Sequence, residues 1–149
     1  MNEFETNLNK VLVETFNNIL KFEAEALRKM LSGSVTVSEA HVIEAIGNSD
    51  DNVTVSQLAG IMNISVPTTT IALKKLEKNG YVNKVACTDD GRKALVGLTD
   101  KGKTIDRAHR LFHNKMVKNI SSGLSEIEKN VLLAGIKKLN SFFQNKVAT

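Results

Sequence analysis

Hydrophobic side chains recur at steps of three and four residues through most of the chain, which predicts a mainly α-helical protein. The longest such run covers residues 3–30, with apolar positions from Phe4 to Leu27. A helix of this length carries a wider apolar stripe than the core of one small subunit covers. We therefore expect a partner subunit to cover part of it.

Capping signals divide the later periodic runs into separate helices. Thr36 and Ser125 are each followed three residues later by Glu, which is the pattern of a capping box at a helix start. The first box predicts a helix that runs through Ile46 and ends at Gly47. Thr99 caps a further helix that we expect to end near Ser121.

The middle of the chain predicts two short helices joined by a tight turn. Thr54 and Gln57 form a third capping box, and the apolar run behind them soon breaks. Ser65 is a good N-cap, and Pro67 fits a first helical turn. Gly80 supplies a left-handed stop for the second helix.

The second of these helices has two different faces. One is mainly apolar and should pack inward, and the other combines small hydroxyl side chains with lysines. Short side chains allow close approach to base edges and lysines reach phosphates, so the outer face suits the major groove of DNA. This outer face consists of Pro67, Thr68, Thr70, Ile71, Lys74, Lys75 and Lys78.

The next segment alternates between apolar and polar residues and predicts a β-hairpin. Its strands cover residues 81–85 and 94–98, and Asp90-Gly91 provides the turn. A basic hairpin beside a DNA-binding helix is a wing. We predict that Arg92 and Lys93 enter the neighbouring minor groove or hold phosphate.

Composition and charge agree with a partner that is a polyanion. The 149 residues suit one domain, 1–149, with a core of its own. The net charge of +4 conceals an asymmetry, because residues 1–64 hold 4 basic and 9 acidic side chains, whereas residues 65–149 hold 16 and 7. DNA is a natural partner for the second half, although a merely solvated basic surface is compatible with charge alone.

Several classes of protein are disfavoured by what the sequence lacks. It has no run of transmembrane length and no signal peptide, so we expect a cytoplasmic protein without membrane contact. It has no phosphate-binding glycine loop, Gly-x-Ser-x-Gly or Cys-x-x-Cys, so we predict neither an enzyme nor a cofactor. The single cysteine, Cys87, should be inert unless Lys84, Arg92 or Lys93 stabilises its thiolate.

Three motifs resemble the MarR family of winged-helix regulators. They are Leu76-Glu77-Lys78-Asn79-Gly80-Tyr81-Val82, Asp90-Gly91-Arg92 and Leu98-Thr99-Asp100-Lys101-Gly102, with Gly91 where many members have a second basic residue. The resemblance implies a mainly α, winged helix-turn-helix fold with a small antiparallel β-wing. It implies a DNA-binding lobe over 36–99 and dimerisation helices within 3–30 and 104–146. It also implies a homodimer that binds a palindromic double-stranded DNA operator and responds to a small effector.

The histidines allow one reading of the effector. His109 and His113 share a helix face, and in this family His41 lies on a helix that packs nearby. With Glu23 or Glu25 they would form a zinc site, similar to that of the zinc-sensing members. The cysteine that those members carry near the end of the first helix is absent here.

A second resemblance gives another reading. Segments 16–20, 41–47 and 107–117 are similar to the FabT-type repressors of bacterial fatty-acid synthesis, which carry histidines at these positions without that zinc role. It implies a repressor that responds to a long-chain acyl group on acyl carrier protein. Zinc, another small ligand and an effector-free DNA-binding protein remain as alternatives. The pocket expected for an acyl effector consists of Phe16, Ile19, Leu20, His41, Val42, His109, Phe112 and His113.

Overall fold

The computed structural model describes residues 1–50, 52–86 and 93–147. In these ranges the chain forms six helices and three strands, and it divides into two compact units, Met1–Phe112 and His113–Thr149. The elements are α1 (Glu3–Leu31), α2 (Val37–Gly47), β1 (Val53–Thr54), α3 (Val55–Met62), α4 (Val66–Lys78), β2 (Val82–Ala86), β3 (Ala94–Leu98), α5 (Asp100–Ser122) and α6 (Glu126–Val147). The prediction of a mainly helical chain with a small antiparallel sheet is confirmed.

The helix starts follow the predicted capping boxes. Backbone and side chain exchange hydrogen bonds between Thr36 and Glu39, between Thr54 and Gln57, and between Ser125 and Glu128. The helix α1 begins in the same way, because Asn2 accepts from the Glu5 N–H and Glu5 accepts from the Asn2 N–H. This fourth box was not among the predicted ones, although Asn is as good an N-cap as Ser.

The two glycines predicted as helix stops behave differently. Gly80 follows α4 with a φ of +77°, which confirms the left-handed stop. The helix α2 does end at Gly47, but the next residue, Asn48, stays in the right-handed region. Gly47 is not among the described glycines with positive φ, so this helix ends at the predicted residue without a left-handed glycine. A Cβ on Gly47 would lie 2.8 Å from Asp106 Oδ2, so this glycine instead allows α5 to approach closely.

The three strands form one antiparallel sheet in the order β1-β3-β2. Val82 pairs with Leu98, and Val96 of the central strand pairs with Lys84 on one side and Val53 on the other. The strand β2 begins at Val82, one residue later than predicted. The predicted turn at Asp90-Gly91, and with it Cys87 and Arg92, lies outside the described residues.

One hydrophobic core joins α1, α2, α3, α4 and the sheet in the first unit. Its fully buried large members are Leu27, Ile43, Ile46, Leu58, Leu73, Leu76 and Val96. Two of them belong to α4, and Thr69 is buried beside them. The core therefore fixes which face of α4 is turned outward.

The second unit consists of the end of α5 and the helix α6. Its apolar side chains stay largely exposed, with Ile127 76% and Val131 67% accessible. A groove of about 460 Å³ lies between the two helices. It is lined by Val117, Ile120, Ser121, Leu124, Lys129, Leu132, Leu133 and Ile136.

None of the helices in the described part of the chain has a stretch both long and apolar enough to cross a lipid bilayer.

Candidate functional site

The outer face of α4 is exposed as the sequence predicted. Pro67, Thr68, Ile71, Lys74, Lys75 and Lys78 are exposed, and Thr70 is half-buried. Ile71 is 71% accessible. A large apolar side chain in this position suits contact with another molecule, such as a thymine methyl group.

Local hydrogen bonds orient the hydroxyl groups at the start of α4. Ser65 Oγ accepts the Thr68 N–H at 3.2 Å and lies 2.7 Å from Thr68 Oγ1. Thr70 Oγ1 donates to the Val66 carbonyl at 2.9 Å. Each threonine oxygen keeps a lone pair for a further donor. The N-cap of α4 thus also sets the direction of a side chain on its outer face.

The lysines of this face do not share one environment. Lys74, Lys75 and Lys78 are all exposed, but Lys75 Nζ also lies 2.7 Å from Glu39 Oε1 on α2. From the sequence, Lys75 is predicted to contact DNA and Glu39 is predicted only to cap a helix. The sequence predicted a DNA phosphate as the partner of Lys75, whereas its partner in the structure is the Glu39 carboxylate. No local sequence signal announces this pair, because it joins two helices that meet only in the folded chain.

One basic side chain, Lys93 just before β3, lies beside the start of α3. Lys93 is exposed and helps to line a cleft of about 390 Å³ at the N-terminal end of that helix. The cleft is lined by Thr54, Val55, Ser56, Gln57, Lys93 and Ala94. A helix N-terminus carries a partial positive charge and backbone N–H groups, so with an ammonium group nearby it attracts phosphate.

A buried polar cluster joins α1, α2 and α5 in the first unit. Glu23 Oε1 lies 2.8 Å from His41 Nε2 and 2.5 Å from His109 Nε2. His109 Nδ1 lies 2.9 Å from Glu44 Oε2. Glu23 is 2% accessible and His109 is fully buried, whereas the His41 side chain is 44% accessible. The structure thus brings together three residues of the predicted effector region and adds Glu44, which the sequence analysis missed.

The two histidine partners of Glu23 stabilise the ionised form of its carboxyl group. Burial by itself would raise the pKa of this carboxyl, but hydrogen bonds from His109 and His41 outweigh burial, so the pKa lies below its usual value. One ligand atom from each of Glu23, His41 and His109 lies within 4.8 Å of the others. Two imidazoles and a carboxylate are zinc ligands by type, so this part of the cluster fits zinc chemically. His113 lies one turn further along α5, in the second unit.

The apolar residues predicted for an acyl pocket have different environments. Phe112 and Val42 are each 5% accessible, and the ring of Phe112 packs against Phe22 with centroids 5.2 Å apart. Phe16, Ile19 and Leu20 on α1 are exposed, Phe16 to 63%. The pocket stays a prediction.

Comparison with known proteins places this geometry in a family. A sequence model of the MarR family matches residues 35–94, which run from the turn before α2 to the start of β3. The crystal structure of Streptococcus pneumoniae FabT in complex with DNA matches with a TM-score of 0.90 and 34% identity. That match covers 95% of this chain and 98% of the FabT chain.

Two curated proteins of Bacillus subtilis (strain 168) are also similar. The HTH-type transcriptional regulator YfiV is 31% identical over 99 residues, which are 66% of this chain. The regulator YhjH is 25% identical over 108 residues, or 68% of this chain. The chain spans about three fifths of each, 61% of their length. These relatives are described as transcriptional regulators and not as enzymes, in agreement with the sequence. The chain belongs to the MarR family of DNA-binding transcription regulators.

Proposed function

We propose that this chain binds a palindromic DNA operator as a homodimer and thereby represses transcription in the cytoplasm. The observation that carries the proposal is the outer face of α4, where exposed hydroxyl, apolar and basic side chains lie together above a buried inner face. The likeness to FabT, which was crystallised in complex with DNA, supports it.

The residues divide by the kind of contact they suit. Pro67, Thr68, Thr70 and Ile71 are short or apolar and suit base edges, whereas Lys74 suits phosphate. Lys93, at the base of the wing, and the N-terminus of α3 together suit a phosphate of the neighbouring stretch of DNA backbone. Arg92, outside the described residues, is proposed from the sequence for the adjacent minor groove.

Exposed apolar surface supports a dimer. Phe4, Val11 and Phe16 on α1 are more than half accessible, and so are Ile127 and Val131 on α6. Apolar surface of this amount is costly in water unless a partner covers it. A two-fold dimer reads a palindrome, with half-sites about one helical turn apart.

Selection of bound sequences from a random duplex pool tests the function. We expect an enriched palindrome, and a dimer by sedimentation at micromolar concentration. If no sequence is enriched over a scrambled duplex, the proposal of a sequence-specific regulator is wrong. The alternative, an effector-free and sequence-independent DNA-binding protein, would then remain. A stable monomer would overturn the homodimer.

We further propose that an effector controls operator affinity, and that it is a long-chain acyl group presented by acyl carrier protein. Support comes from the likeness to FabT and from the sequence similarity to FabT-type repressors of fatty-acid synthesis. An effector acts only by binding one state of the regulator better than another, and a coupling of about 1–3 kcal/mol is typical.

Zinc is the second candidate effector, which the Glu23, His41 and His109 cluster favours. Operator binding titrated with long-chain acyl carrier protein, with unacylated carrier protein and with zinc separates the two. Acyl control predicts a response to the first alone. Zinc control predicts that a chelator abolishes tight operator binding and that His109→Ala and His113→Ala each mimic the chelator. No response to any of them would overturn both.

A further inference from the structure

Glu39 makes two contacts at once at the start of α2. Its Oε2 accepts the Thr36 N–H at 2.8 Å, which completes the capping box. Its Oε1 lies 2.7 Å from the Lys75 ammonium, and apart from this ion pair that oxygen has no hydrogen-bond partner in the described part of the chain. The Glu39 side chain is 13% accessible, so its charge is held in a partly desolvated position where ion pairs are stronger than at an open surface.

Lys75 belongs to the outer face of α4 by its position in the sequence. It follows Thr68 by seven residues, which is two helical turns, so the two side chains start from the same stripe of the helix. Its side chain is 62% accessible, and the ammonium is turned to the carboxylate of α2. Lys74 and Lys78 are exposed on the same helix.

Phosphate contacts raise affinity for every DNA sequence alike. A lysine that neutralises a phosphate releases condensed counterions, so each contact steepens the fall of affinity with salt. A lysine that is already neutralised by a carboxylate adds little to this counterion release or to the salt dependence. Such a pair therefore lowers affinity for operator and other DNA alike, and it leaves the base contacts intact.

We infer that Glu39 is a positioning residue that withholds Lys75 from the DNA backbone, so that α4 carries one phosphate-binding cation fewer than its sequence offers. The inference rests on the proposed function in one respect, namely that the outer face of α4 is turned to DNA. It differs from the sequence-based prediction, in which Lys75 binds phosphate directly.

The substitution Glu39→Gln isolates the charge, because Gln serves as well as Glu in a capping box. Affinity for a non-operator duplex is measured over a range of salt concentrations, for the full chain. We expect the slope of log affinity against log salt to steepen by about 0.9 per protomer. Adding Lys75→Gln to this variant should remove the gain, whereas Lys75→Gln in the unchanged chain should leave the slope as it is.

Glu77→Gln is the matched control. It removes the same charge from an exposed position on α4, and its effect measures the general gain from lower negative charge. A slope change no larger in Glu39→Gln than in this control would overturn the inference, and so would a flatter slope in Lys75→Gln alone. Thermal melting checks that each variant folds. An unchanged chain that binds no duplex would overturn the proposed function itself, and the inference with it.

Discussion

The backbone carbonyl of Tyr81 occupies the place that a Cβ atom on Gly102 would need. The same carbonyl accepts the Thr99 N–H at 3.1 Å. The Thr99 hydroxyl donates to the Gly80 carbonyl at 2.6 Å and accepts the Gly102 N–H at 3.1 Å. Two of the three motifs that carry the family resemblance, residues 76–82 and 98–102, therefore contact each other where the end of α4 meets the start of α5. Lys101 completes it by donating to the Asn79 carbonyl.

Gly102→Ala should destabilise the first unit. The new methyl group meets backbone, which cannot rotate away, so we expect the free energy of unfolding to fall by about 1–3 kcal/mol, as for overpacked cores. Urea unfolding followed by circular dichroism measures it. Gly60→Ala is the control, because nothing lies within 4 Å of a Cβ there, and it should be neutral or stabilise by about 0.4–1 kcal/mol. Equal stability of the two variants would contradict this account.

Glu23→Ala should be among the most destabilising single changes on α1. It leaves the buried His109 without one of its two carboxylate partners, and leaving a buried polar group without a hydrogen-bond partner costs about 1–3 kcal/mol. Glu25→Ala is the matched control, since Glu25 is exposed on the same helix and should change stability by less than about 0.5 kcal/mol. If both variants unfold at the same urea concentration, the cluster contributes no net stability.

Acid should weaken the contact between α2 and α4. Burial would raise the pKa of Glu39, but the Lys75 ammonium and the Thr36 N–H outweigh burial and hold the pKa below the ordinary value of 4.5. The stabilising contribution of a carboxyl with a lowered folded pKa is present above its unfolded pKa, and it is lost as pH falls through the folded pKa. The chain and its Glu39→Gln variant should therefore differ in stability at pH 7 and converge as pH falls through the lowered pKa of Glu39. A gap that widens on acidification would contradict the assignment.

The two kinds of contact proposed for DNA should respond differently to mutation. Thr68→Ala should relax base preference by about 1–3 kcal/mol at one position of each half-site. Lys74→Gln and Arg92→Ala should each weaken binding to all duplexes and flatten the salt slope by about 0.9 per protomer. Lys10→Gln removes one cation from α1 and controls for net charge. If Arg92→Ala leaves affinity and slope unchanged, the wing does not contact DNA.

The sequence by itself determined the features that depend on neighbouring residues. The helix starts at Thr36, Thr54 and Ser125, the N-cap at Ser65 and the left-handed Gly80 were all readable, because each involves groups within a few positions along the chain. The two faces of α4 were readable for the same reason, since helical periodicity sorts side chains by position alone.

Only the tertiary structure decided which distant side chains meet. Glu23 and His109 are 86 residues apart, and nothing local distinguishes Glu23 from the exposed Glu25 as the partner of that imidazole. Likewise, Lys75 looked like any lysine of the outer face until α2 packed beside α4, and Gly47 looked like an ordinary helix stop until α5 approached it. Packing of whole helices selects one pairing from many that the residue types would allow. That choice depends on the complete core and therefore leaves no trace in any single stretch of sequence.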